Sequence, residues 1–320
     1  MGVISMSNGY RPPQAPRRRA PARTYRVRRI VALLVTVVLL YGAYTLVAGL
    51  FSRSGTRTTE AITPSTHTVV NDGSTATTLE PTTTTELKDK ARTTPTAADP
   101  AEVLVFGDSD AGTFGPYLKQ LLDQTGIATT TLDYKVSSGL SRPDFFDWPA
   151  HMREKLPQVN PDIVVVTFGG NDAQGLRNID KTWAVNHPPA SGGDDADWKA
   201  EYGKRVGEVM DYLGGRNRTL IWVGIPNDNN PDVTARLAVQ DQVVRAEAAK
   251  RPKVVFVDTW LRFSGRNNGW AEFVIDPRDG VGKSVRAKDG FHLNTTGAEI
   301  LALDIAEAVK TDLRARGAKI

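Results

Sequence analysis

Three short segments, far apart in the chain, carry side chains suited to one reaction: Gly107-Asp108-Ser109, Gly169-Gly170-Asn171-Asp172 and Asp289-Gly290-Phe291-His292. Ser109 supplies a hydroxyl nucleophile. His292 supplies a base, and Asp289 a carboxylate that could fix the imidazole tautomer and stabilise the imidazolium. Asn171 offers a side-chain N–H to a developing oxyanion, and the backbone N–H of Ser109 offers a second. Gly139, in Ser137-Ser138-Gly139-Leu140, could add a third. These are the parts for acyl transfer through serine. Each is weak alone: a serine after a strand more often caps a helix, Asp-x-x-His arises by chance, and an Asn-Asp turn commonly just starts a helix. The other histidines fit less well. His67 lies in a polar spacer, His151 in a predicted helix and His187 in a loop. The chain has no cysteine, which excludes disulfides and thiol catalysis; with no paired-histidine motif either, neither metal nor cofactor is expected.

These residues need a frame, and the hydrophobic pattern provides one. Short apolar runs predict buried strands at 103–106, 129–134, 163–168, 220–223 and 254–257. Between them lie helical stretches at 114–125, with Gly126 as its cap, at 144–156 and 197–213, and after Asn230-Pro231, a good cap followed by a proline suited to a first turn. A final helix begins at Thr296-Gly297-Ala298-Glu299, read as a capping box, with Leu301, Ile305, Val309 and Leu313 on one face. Uniformly apolar strands alternating with helices predict a five-stranded parallel sheet in a three-layer α/β/α sandwich. Ligands then bind beyond the carboxyl ends of the strands, where Ser109 and Asn171 fall.

The chain has 320 residues, 24% of them charged, and a formal net charge of +4. Eight arginines precede Ile30 with no acid among them, so the remainder is net negative and the case for a nucleic-acid partner falls away. Residues 30–51, IVALLVTVVLLYGAYTLVAGLF, form an uncharged run long enough to cross a bilayer. It is too long for a signal peptide and lacks a cleavage context. The arginines before it predict a cytoplasmic N-terminus. The expected order is a basic cytoplasmic tail (1–29), a transmembrane anchor (30–51), a Thr/Pro-rich disordered linker (52–100) and a catalytic domain (101–320) on the outer side of a bacterial cell membrane.

The four blocks together resemble the SGNH (GDSL-type) hydrolases. Gly107-Asp108-Ser109 matches the first block, Gly139 the second, Gly169-Gly170-Asn171-Asp172 the third and Asp289-Gly290-Phe291-His292 the last. The resemblance covers about 101–317. It implies a flavodoxin-like sheet, with Ser109 as nucleophile, His292 as base and Asp289 as its orienter. It also implies an oxyanion hole made by Ser109, Gly139 and Asn171. The longer runs Gly107–Gly112 and Thr167–Gly175 are similar to a largely uncharacterised bacterial branch, DUF459. One departure is Asp110, where the family pattern has leucine; that carboxylate could disfavour anionic substrates or cap the helix. The Gly107-x-Ser109-x-Ala111 spacing is superficially similar to the nucleophile elbow of α/β-hydrolases, but there the serine sits deeper in the sheet and the acid lies far from the histidine.

Polar stretches at 176–196 and 262–288 border the motifs and carry Trp183, Trp260, Phe263, Trp270, Phe273, Arg266 and Arg278. Aromatic faces suit sugar rings, and amides such as Asn227, Asn229, Asn267 and Asn268 suit hydroxyls. Asp110, Asp172, Asn227 and Trp270 are expected at the substrate. The expected activity is hydrolysis of O-acyl, chiefly O-acetyl, esters of surface carbohydrate or peptidoglycan. O-acyl transfer to a glycan and a non-catalytic wall-binding module are the alternatives.

Overall fold

The computed structural model describes residues 89–320. The expected tail, membrane anchor and most of the spacer lie outside the described residues. Among the described residues, no helix is long and apolar enough to cross a membrane.

Five parallel strands form the central sheet: β1 (Ala101–Gly107), β2 (Ala128–Tyr134), β3 (Ile163–Thr167), β4 (Thr219–Val223) and β5 (Val254–Val257). Their order is β2-β1-β3-β4-β5, the flavodoxin-type arrangement, in which the topological switch falls between β1 and β3. β1 is zipped on both sides, with Val105 opposite Leu132 on β2 and Val165 on β3. β3 is buried along its whole length; its β-branched run suits a strand covered on both faces.

The helices cover those faces in two layers. They are α1 (Ser109–Asp123), α2 (Trp148–Val159), α3 (Ala196–Leu213), α4 (Pro231–Ala249), the short α5 (Thr259–Arg262) and α6 (Thr295–Ala315). On one side Val103, Val105, Val165 and Ile221 pack with Phe114 and Leu118 of α1 and with Leu301, Ile305, Val309 and Leu313 of α6. On the other, Leu104, Phe106, Val166 and Trp222 pack with Trp148 and Met152 of α2, Trp198 and Tyr202 of α3 and Val243 of α4. Successive strand residues thus point to opposite layers. The three-layer sandwich expected from the strand pattern is present.

Asn230 caps α4 through its side chain, ahead of Pro231 at the first turn, as predicted. The start of α6 differs. Asn294 is the cap, accepting from Gly297 N at 3.0 Å, and Thr296 lies inside the helix. Glu299, expected to close a capping box, instead pairs with Arg278 at 2.5 Å. An Asx cap serves as well as a threonine, and a carboxylate bonds the nearest guanidinium.

Part of the segment expected as disordered spacer is fixed to the domain. Lys90 Nζ donates to Asn160 O at 2.7 Å, and Thr94 Oγ1 donates to Arg316 O at 2.7 Å. Arg92 pairs with Asp312 at 2.6 Å. This strap crosses the end of the sheet where the strands begin. Two antiparallel hairpins, Leu176–Arg177 with Trp183–Val185 and Phe273–Ile275 with Gly282–Ser284, interrupt the polar stretches after Asn171 and before Asp289.

Candidate active site

The position of Ser109 is set by the turn from β1 into α1. Gly107 has φ +152°, and a side chain there would collide with the backbone oxygen of Thr167; only glycine lets β1 end this close to β3. Asp108 then caps α1, accepting from Asp110 N at 3.0 Å. The same carboxylate accepts from Gly169 N at 2.7 Å and Asn171 Nδ2 at 3.2 Å. One buried side chain therefore ties the serine turn to the asparagine block. Burial and the neighbouring Asp110 push the Asp108 carboxyl well up from the usual range, against backbone N–H bonds that pull it down.

Ser109 Oγ lies 2.9 Å from His292 Nε2. His292 Nδ1 lies 2.7 Å from Asp289 Oδ2. Asp289 Oδ1 accepts from the backbone N–H of Phe291 at 3.1 Å and of His292 at 3.0 Å, so one tight turn orients both acid and imidazole. Partial burial works to raise the Asp289 carboxyl, but the bonds from the His292 ring and the two backbone groups outweigh it and hold it below the usual range. The side chains of residues 109, 292 and 289 thus form one continuous line of hydrogen-bond contacts. Among the described residues, the N–H groups of Ser109 and Gly139 have no hydrogen-bond partner, and both remain free to serve an oxyanion.

Several residues expected at the substrate are placed elsewhere. Asp172 is fully buried. It accepts from Leu140 N at 3.0 Å, Ser141 N at 2.8 Å and Tyr202 Oη at 2.8 Å. It is a strut that holds the Gly139 loop against the Asn171 block, and a side chain at Gly139 would strike it. Asn227 is also fully buried, donating to Ser264 Oγ at 3.2 Å and accepting from Arg286 at 2.7 Å. Trp270 is half-buried and donates to Gly290 O at 2.8 Å, bracing the loop that carries His292. Of the other aromatics, Phe263 is in the core, whereas Trp183 and Phe273 are exposed on the two hairpins. Trp183 carries the Arg177 guanidinium 4.0 Å above its ring.

Asp110 does not cap α1, since Asp108 does. Its Oδ2 is buried with no partner. Burial, with the like charge of Asp289, raises its carboxyl to about 7, against the pull of Arg286. Arg286 itself was not singled out by sequence. It is buried and donates to Asn227 O, Phe291 O and Phe263 O, each at 3.0 Å, and to Ala271 O at 3.2 Å. Burial lowers its guanidinium to about 10. It gathers the loops beside β4 and α5 onto the turn that carries His292. Nothing local in the sequence marks it; its role comes from four segments that meet only in the fold.

The family model described as "Protein of unknown function (DUF459)" matches residues 102–308. No protein of curated function matches the sequence. Among solved structures, an acetylxylan esterase from Geobacillus stearothermophilus is similar at 16% identity, over 68% of this chain and 95% of that one, with a TM-score of 0.46. A GDSL-like lipase from Bacteroides thetaiotaomicron is similar at 15% identity, over 66% and 89%, with a TM-score of 0.45.

Proposed function

This chain belongs to the DUF459 family of proteins of unknown function, and we propose that its folded domain is an SGNH-type serine esterase acting outside the cell on O-acyl, chiefly O-acetyl, esters of surface carbohydrate or peptidoglycan. The observation that carries this reading is the continuous contact from Ser109 Oγ to His292 Nε2 at 2.9 Å and from His292 Nδ1 to Asp289 Oδ2 at 2.7 Å.

In this mechanism His292 Nε2 takes the Ser109 proton as Oγ attacks the ester carbonyl carbon. Asp289 steadies the imidazolium that forms. The tetrahedral oxyanion is held by the N–H groups of Ser109 and Gly139 and by Asn171 Nδ2, whose orientation Asp108 fixes. His292 returns the proton to the departing alcohol. Water, deprotonated by the same histidine, then attacks the acyl carbon; the bond from that carbon to Ser109 Oγ breaks, His292 returns the proton to Oγ, and the carboxylic acid leaves. Transfer to a sugar hydroxyl would share each step up to the acyl-enzyme, and product analysis with an acceptor glycan separates the two outcomes. The extracytoplasmic placement rests on residues 30–51 and the eight arginines before them.

The test is fluorophosphonate labelling of the full chain with mapping of the modified peptide, alongside hydrolysis of an activated acetyl ester. Label on Ser109 is expected, and Ser109→Ala and His292→Ala each lower turnover by about 10⁴-fold or more. Unchanged turnover in Ser109→Ala ends this reading.

A further inference from the structure

A small cavity lies behind the turn that carries Ser109. Phe114, Val223 and Leu301 form part of its wall, and the polar residues Asp110, Thr167 and Thr259 also line it. These three come from separate elements: the first turn of α1, the last residue of β3 and the first residue of α5. Asp110 Oδ2 and the hydroxyls of both threonines are buried without a hydrogen-bond partner in the protein. Both threonines are completely enclosed. Thr113 reaches the same space, but its hydroxyl already donates to Ser109 O at 2.8 Å. Buried polar atoms left unpaired are costly and uncommon. Three around one cavity point to a ligand that pairs them.

The size of the space restricts that ligand. The cavity offers about 10 Å³ to a water-sized sphere, close to the least that admits one water. We propose that this cavity is a binding site for a single water molecule, hydrogen-bonded to Asp110 Oδ2, Thr167 Oγ1 and Thr259 Oγ1, which joins α1, β3 and α5 behind the nucleophile.

Three partners are what a buried water usually finds. The bonding balances: water donates to Asp110 Oδ2 and to one threonine, and accepts from the other. Burial raises the Asp110 carboxyl to about 7, so near neutral pH it exists in both forms, and a water that can turn matches either. Thr167 directly precedes Phe168-Gly169-Gly170-Asn171, so the water would link the first turn of the serine helix to the strand that delivers Asn171. Such a water braces the turn whether or not the site cleaves esters.

A crystal structure of the full chain at a resolution that shows ordered solvent tests it. A solvent peak within about 3.2 Å of all three oxygens is expected; an empty cavity overturns the proposal. Thr259→Val gives an independent reading through the sign of its effect. If the hydroxyl bonds a water, its loss lowers Tm by about 2–4 °C, while Thr259→Ser stays closer to the parent. If the hydroxyl has no partner, valine relieves a buried unpaired group and raises Tm, which overturns the proposal. Should Thr259→Val fail to fold, Thr167→Val is read by the same sign.

Discussion

The two ends of the Ser109–His292 contact are held by different constructions. Ser109 sits on the turn between a buried strand and a 15-residue helix, with Gly107 pressed on Thr167 and Asp108 tied to the loop that follows β3. His292 sits on an irregular loop, and its side chain and that of Asp289 are 34% and 52% exposed. The first end is fixed by the sheet itself. The second depends on a few long-range contacts, above all those of Arg286 and Trp270. In the reaction proposed above, a nucleophile whose own N–H also serves the oxyanion is suited by a rigid turn, and a base that takes and returns a proton can sit on a loop pinned from behind.

Substitutions can break this contrast at either end. Arg286→Met is expected to have the largest effect on stability, on the order of 3 kcal/mol or more, because the carbonyls of Asn227, Phe263, Ala271 and Phe291 lose their buried donor together. Denaturant unfolding measures it, and a loss below about 1 kcal/mol would mean that the base loop holds itself. At the other end, Gly139→Ala forces a methyl group onto the Asp172 carboxylate. A loss of about 2 kcal/mol is expected in the same assay, with weakened fluorophosphonate labelling of Ser109.

Asp289→Asn sharpens the comparison, since it alters the base loop without touching the sheet. Turnover should fall at least about 10-fold while Tm changes by less than about 2 °C, because the acid is half exposed and serves orientation. A shift in Tm as large as that of Gly139→Ala would assign Asp289 to structure.

The smallest expected effect depends on pH. Asp110 titrates near 7 in the folded protein, above its unfolded value. The folded state therefore holds the proton more tightly, and the stability it gains is present at low pH and lost as pH rises through about 7. Asp110→Asn removes that loss, so its Tm relative to the parent should be higher at pH 8 than at pH 5, by a few degrees at most. An equal difference at both pH values would show that the carboxyl does not titrate in this range.

How far the sequence could be read follows the same division. Strands such as Ile163–Thr167 announce themselves by unbroken β-branched runs, and with them the ends on which Ser109 and Asn171 stand. Asp289 and His292 were legible because they are close in sequence and share a turn. Asp172 and Asn227 were misplaced for one reason: a polar residue in a loop looks the same whether it meets a ligand or the protein's own backbone, and only burial tells them apart. Arg286 carries no local pattern at all. The cap of α6 went to Asn294 instead of Thr296 because both residue types cap well and their order is decided by the chain before the helix. The strap at 90–94 was hidden by its composition: its threonines and charges resemble spacer, and its partners Asn160, Asp312 and Arg316 lie far along the chain.

That strap has a mechanical consequence. It enters across the strand beginnings, whereas Ser109 lies beyond the strand endings, and a seven-residue strand such as β1 separates the two by roughly 20 Å. A pull applied at residue 89 loads the junction of Lys90, Asp162 and Arg316, in which Lys90 and Arg316 both pair with Asp162 at 3.0 Å, at the opposite end of the sheet from the Ser109 turn. Held by that end on a bead or a surface, the domain would present its serine outward, toward polymers too large to reach underneath it.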